Sequence, residues 1–177
     1  MTQPPLTDGE LAAVRHLIDR QAIVDCLHRY TRGLDRHDDE LVLSAYHPDA
    51  IDDHGVFRGG PREFVEWANA LHSANWTAHQ HYATNIDVDG DSAHVESYFL
   101  VVFRRGDSSA VDLAGARYVD RFERRGREWR IAARAVLIEW NGNAEMNPAL
   151  FGEGFEWPGR WDRTDRSYER PLSLEQS

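Results

Sequence analysis

The sequence predicts an α+β domain, and two features of its hydropathy pattern carry that prediction. Before Trp76 apolar residues recur every three to five positions, and after it every second position, the change from helical to strand period. Short glycine-containing turns then divide the second half into runs of strand length. Thr7 and Asp8 are candidate N-cap residues, and Glu10 stands three after Thr7, the spacing of a capping box. Leu11, Val14, Leu17, Ile18, Ile23, Leu27, Tyr30 and Leu34 form the apolar stripe of one long helix, or of two helices meeting near Gln21. Gly33 fits the left-handed residue that closes such a helix, which puts Asp35 just beyond its end. A short helix is expected from Asp38 to Tyr46, stopped by Pro48, followed by an extended stretch from Ala50 to Phe57. Gly59-Gly60-Pro61 leads into a third helix carrying Phe64, Val65, Trp67, Ala68 and Leu71.

Four strands follow: Thr77–Val88, Ala93–Phe103, Val111–Phe122 and Trp129–Trp140. Asp89-Gly90-Asp91, Arg105-Gly106-Asp107 and Arg124-Arg125-Gly126-Arg127 separate them, so they form an antiparallel meander. Residues 1–146 make up the domain. Residues 147–177 lose the periodicity but hold Phe151, Phe155, Trp157, Trp161 and Tyr168, too aromatic for a merely solvated tail. They are expected to form an extended arm packed on the body or on a neighbouring subunit.

Composition removes several classes of function. All 20 basic residues are arginine, against 30 acidic ones and a net charge of −10. Without lysine there is no Schiff-base chemistry and no phosphate-binding loop of the Walker type. The acidic balance argues against nucleic-acid binding. No apolar run approaches the ~20 residues of a membrane span, and the N-terminus lacks the pattern of a signal peptide, so a cytoplasmic location is expected. The single cysteine, Cys26, has a core spacing from Ile23 and Tyr30 and reads as a small buried hydrophobe. Neither a dinucleotide fingerprint nor a Gly-x-Ser-x-Gly elbow is present.

The residues able to carry chemistry are few. In Thr77-Ala78-His79-Gln80-His81-Tyr82-Ala83-Thr84-Asn85, strand alternation places His79, His81, Ala83 and Asn85 on one face. Two adjacent imidazoles make a polar pocket wall, part of a metal site with Asp53 or His54, or a solvated face; nothing fixes further ligands, so no metal is expected. Asp35 is either a surface residue or, if the sheet covers the helix, the orienting partner of His81. Arg134 has apolar neighbours at i±2 on the face Arg130, Ala132, Arg134, Val136, Ile138, Trp140. If buried it needs a partner, an anionic ligand or a structural carboxylate. Tyr46, Trp76, Phe99, Val101, Tyr118 and Trp140 are candidate pocket-lining residues beside His79.

Taken together, the helical first half, Tyr30-x4-Asp35, Thr-x3-His-Tyr-Ala-Thr-Asn and the closing Gly-x2-Trp-Arg-Ile strand resemble the SnoaL-like family of the nuclear transport factor 2-like superfamily. That group includes hexachlorocyclohexane dehydrochlorinase, scytalone dehydratase and bile-acid dehydratase. The resemblance covers about residues 10–142. It implies a cone-shaped α+β barrel, with the helices packed in a curved, mostly antiparallel sheet around a deep apolar pocket. It also implies an Asp–His dyad of Asp35 and His81, an arginine at 134 that stabilises a leaving anion, and a tyrosine at 30. The activity implied is a cofactor-independent lyase, a dehydratase or dehydrohalogenase, acting on a small hydrophobic cyclic substrate. An isomerase or cyclase on a polyketide- or steroid-like ligand, a non-catalytic ligand-binding module and a small subunit of an oxygenase remain alternatives. A trimer or dimer of identical chains is implied as well.

Overall fold

A computed structural model describes residues 4–73, 75–106, 108–147 and 159–173. The first helix, α1, runs unbroken from Asp8 to Asp35. Its capping box forms as the spacing predicts: the Thr7 hydroxyl accepts from the Glu10 N–H at 3.3 Å, and the Glu10 carboxylate accepts from the Thr7 N–H at 2.7 Å. The apolar stripe is only half used. Burial begins at Ile23, while Leu11, Val14, Leu17 and Ile18 stay exposed on a helical end that projects past the sheet.

Gly33 does not close the helix. It is helical, and α2 (Asp39–Leu43) packs against it so closely that an added Cβ would lie 2.6 Å from Val42 Cγ2 and 2.8 Å from the Val42 backbone nitrogen. The left-handed residue is His37 instead (φ 47°), so Asp35 is the last helical residue and its direction is set by the helix. Gly33→Ala is expected to destabilise the fold by about 1–3 kcal/mol, because the obstructing atom is backbone and cannot rotate away. Urea unfolding checks this.

After α2 come β1 (Tyr46–Asp53), the two-residue β2 (Arg58–Gly59), α3 (Pro61–His72), β3 (Asn75–Asp89), β4 (Ser92–Arg105), β5 (Ala110–Arg125) and β6 (Glu128–Glu145). Pro48 therefore lies inside β1 rather than stopping a helix. The strands β3 to β6 form the expected antiparallel meander, and β1 joins parallel to β6. One six-stranded sheet results, in the order β2-β1-β6-β5-β4-β3.

The sheet is not a barrel. Closure would require its two terminal strands to pair, and they do not: β2 bonds only to β1 and β3 only to β4. With two residues β2 is too short to carry the sheet around, and the chain leaves it directly into α3. The fold is an α+β domain in which α1 and α3 cover one face of an open, mostly antiparallel sheet.

Three bulges decide which residues face the helices. In β3 an extra residue between His81 and Thr84 reverses the alternation. His79 and His81 point inward, but below them Ile86 is the buried residue, and Ala83 and Asn85 are exposed rather than sharing the histidine face. In β6, extra residues at Ala132 and Glu139 leave Arg134, Val136 and Ile138 on the inner face opposite Asp120, Tyr118 and Ala116. Trp140 is turned to the other face.

The core beneath the helices holds Tyr30, Tyr46, Phe64, Tyr118, Phe122 and Ile131, all almost fully buried. Cys26 lies among them, its thiol pushed up to about 11 by burial, which suits packing and not nucleophilic chemistry. Of the C-terminal segment, residues 159–173 lie over the junction of α1 and α2. Arg163 and the Tyr168 hydroxyl both bond the Asp38 carboxylate, Arg32 stacks 4.5 Å over the Tyr168 ring, and Asp165 pairs with Arg36. Phe151, Phe155 and Trp157 fall outside the described residues. No helix among the described residues is long and apolar enough to cross a membrane.

Candidate active site

Asp35 reaches the inner face from the last turn of α1 and meets β3 there. Its carboxylate accepts three hydrogen bonds: from the Thr77 hydroxyl at 3.0 Å, the His79 backbone N–H at 2.9 Å and His79 Nδ1 at 2.6 Å. Burial alone would raise the Asp35 pKa. The charge and ring of His79, its backbone N–H and the Thr77 hydroxyl overcome that and hold it below the usual carboxylate range. With Nδ1 turned to Asp35, Nε2 of His79 is left without a hydrogen-bond partner, on a side chain 6 % exposed.

The partner of Asp35 is thus His79, and the pairing with His81 expected from the sequence does not form. Two strand residues on one face are separated by nearly 7 Å along β3. Asp35, tied to both Thr77 and the backbone of residue 79, sits at the level of the first imidazole. His81 is buried one step deeper with both ring nitrogens unpartnered. Burial, then the positive charge of Arg134 and the neighbouring His79, push its pKa down to about 3, so it is a neutral ring at physiological pH.

Arg134 is paired with a structural carboxylate. Nε and Nη2 each donate to Asp120 at 2.7 Å, with both side chains fully buried, and the guanidinium lies 4.2 Å from the Tyr30 ring and 3.9 Å from the Tyr118 ring. Burial works against its charge and Asp120 more than restores it, so Arg134 stays protonated. Only Nη1 lacks a partner. Tyr30 is likewise fully enclosed, and burial pushes its phenol pKa up, so it remains protonated.

The inner wall beside the histidines is aromatic and aliphatic. Tyr118 stacks on Phe99 with centroids 4.0 Å apart, His81 lies 5.5 Å from Tyr118, and Val101 is the register partner of His79. Toward the open end of the sheet a cleft of about 700 Å³ is lined by Leu71, Phe103, Ala114, Asn75, Asn141 and Asn143 among others. Phe103 joins the cleft to the histidine layer: its ring lies 5.7 Å from His72, which is 6.0 Å from His79. Two expected lining residues are elsewhere. Trp76 alternates with the inward Thr77 and lies under Arg104 on the outer face. Trp140, displaced by the bulge at Glu139, lies outside across Gly115, where an added Cβ would meet its ring at 2.1 Å. Tyr46 is inside but engaged, its hydroxyl bonded to Asp52.

Asp52 and His72 carry no sequence signal that singles them out, and His54 reads from the sequence only as a possible metal ligand. Asp52 is fully buried and bonded to His54 Nδ1. It was legible only as the inward position two after Ala50, a pattern hidden by the apolar Ile51 pointing outward. Among the described residues no group of three or more His, Cys, Asp or Glu side chains is arranged to hold a metal ion.

An open-sheet α+β domain with a buried acid–histidine pair facing an apolar wall is the class that fold and site define. The chain belongs to the SnoaL-like domain family, whose profile matches residues 15–135, within the nuclear transport factor 2-like superfamily. No functionally curated protein matches it. Among solved structures it is similar to hexachlorocyclohexane dehydrochlorinase type 2, with 19 % identity, a TM-score of 0.70 and 78 % of this chain covering 99 % of that one. A proposed scytalone dehydratase from Novosphingobium aromaticivorans DSM 12444 aligns with 18 % identity, a TM-score of 0.67 and coverage of 80 % and 97 %. The type 3 dehydrochlorinase from Novosphingobium barchaimii LL02 aligns with 17 % identity, a TM-score of 0.68 and coverage of 82 % and 97 %. At these identities the likeness is one of fold.

Proposed function

We propose that this protein is a cofactor-independent lyase that eliminates water or hydrogen halide from a small hydrophobic cyclic substrate, with His79 as the base. The observation that carries the reading is the Asp35–His79 pair: a carboxylate at 2.6 Å from Nδ1, with Nε2 free. Asp35 fixes the tautomer and stabilises the imidazolium, so Nε2 can take a proton from carbon. The C–H electron pair becomes the new double bond as the leaving group departs with its own pair. His81, neutral and unpartnered, offers the substrate one donor and one acceptor and acts in binding. Phe99, Val101 and Tyr118 supply the apolar surface, and Arg134 contributes its charge from behind the tyrosines. The relatives named as a dehydrochlorinase and a dehydratase support the same reaction type on this fold.

The reading is tested with small cyclic β-hydroxy and β-halo ketones. On a substrate that is converted, Asp35→Asn and His79→Gln are expected to lower kcat by roughly two to four orders of magnitude. His81→Gln should act mainly on KM. Equal kcat for wild type and His79→Gln would sink the assignment.

A further inference from the structure

A second acid–histidine pair stands at the other side of the sheet. His54 follows β1, and its Nδ1 bonds the Asp52 carboxylate, which is fully buried and also accepts from the Tyr46 hydroxyl. Asp52 is thereby held from both oxygens, a fixed anion against one edge of the imidazole. His54 stacks on Phe64 at 4.8 Å and lies 5.5 Å from Trp67, so α3 locks the ring plane. Its Nε2 has no hydrogen-bond partner, and the side chain is 15 % exposed, so this nitrogen is not sealed in the core.

The two pairs face one interior. The strand β3, which carries His79 and His81, is one edge of the sheet, and β1 lies next to the other edge. Tyr118, on the intervening β5, lies 5.5 Å from His81 and 6.5 Å from His54. His72, buried beside His79, is held at about 4 by burial and by the charges of His79, His37 and also His54. An elimination needs a base at one side of the substrate and a proton donor at the leaving group on another.

We infer that His54, held by Asp52 and Tyr46, is the general acid that protonates the leaving group. This rests on the elimination reading above. The Asp52 carboxylate stabilises the doubly protonated ring, as an orienting carboxylate does for any imidazolium. In the step, His79 Nε2 takes the proton from carbon and the C–H pair forms the double bond. The carbon–oxygen bond breaks, and its oxygen takes the proton from His54 Nε2, so substrate yields alkene and water. Return of the two histidines to their starting states is proton exchange with solvent.

Two measurements on the full-length protein test this. In ¹⁵N-histidine spectra, the ring assigned by its loss in His54→Gln is expected to shift on Asp52→Asn and to stay unchanged on Asp35→Asn. A His54 ring that does not respond to Asp52→Asn would overturn the inference. The second measurement uses two probes that ring-open by proton abstraction with N–O cleavage, benzisoxazole and its nitro derivative, whose leaving phenolates differ in basicity. His54→Gln should slow the poorer leaving group at least ~10-fold more than the better one, since only the basic oxygen needs the proton. Equal losses on both probes would overturn the acid role and leave the base reading standing. If His79→Gln has no effect on either probe, the elimination reading fails, while the spectrum still decides whether Asp52 holds the His54 ring.

Discussion

Replacing Arg134 by methionine is expected to destabilise the protein by about 3–5 kcal/mol, the cost of leaving the Asp120 carboxyl, whose pKa burial already raises, enclosed without its partner. Both side chains are fully enclosed, and Asp120 receives both of its short hydrogen bonds from Arg134. The double variant Arg134→Met/Asp120→Leu should recover most of the loss, because an apolar pair of similar volume removes both desolvation penalties together. Urea unfolding of the two single variants and the double variant measures the coupling. If the single losses simply add in the double variant, the pair is not the stabilising unit inferred here. The same enclosure makes any effect of Arg134 on turnover inseparable from folding unless stability is measured alongside.

Mild acid should weaken the fold well above the range in which its carboxylates titrate. The folded-state values of His81 and His72 are pushed down to about 3 and about 4, chiefly by burial. In the unfolded chain both rings titrate near ~6.5, so between that pH and ~4 the unfolded state binds two protons that the folded state does not. Stability therefore falls as pH falls, by ~1.4 kcal/mol per pH unit for each histidine, or about 4 kcal/mol between pH 6.5 and 5. His81→Phe should remove close to half of this slope. Asp35, whose pKa is lowered, adds its own loss only below ~4, as pH drops through its folded value. Urea midpoints at pH 7, 6 and 5 decide the matter; a midpoint that does not move would contradict neutral buried histidines.

Much of the fold was legible because it depends on local pattern. The capping box of Thr7 and Glu10, the period-two runs of β3 to β6 and the glycine turns at Gly90, Gly106 and Gly126 are each set by neighbours in sequence. The same local reasoning failed where one extra residue entered a strand. A bulge reverses every side chain beyond it, which is why Asn85 left the histidine face and Trp140 left the pocket. Gly33 was misread for a related reason: its small size serves a long-range contact with Val42, which no window around residue 33 contains.

Taken alone, the sequence determined the class of the protein, an α+β domain with helices before a meander, and it offered Asp35, His81, Arg134 and Tyr30 as candidate catalytic residues with His79 beside them. Tertiary structure decided which of them meet. Whether Asp35 bonds the first or the second imidazole depends on where the last turn of α1 lands along β3. Whether Arg134 finds a ligand or Asp120 depends on the register of β5 against β6. Asp52 and His54 stand two residues apart in sequence, and what the packed fold adds is enclosure: β1 is seated beside β6, and Phe64 of α3 stacks on the His54 ring. Hydrogen bonds between side chains need placement to a fraction of an ångström, and only the packed fold supplies it.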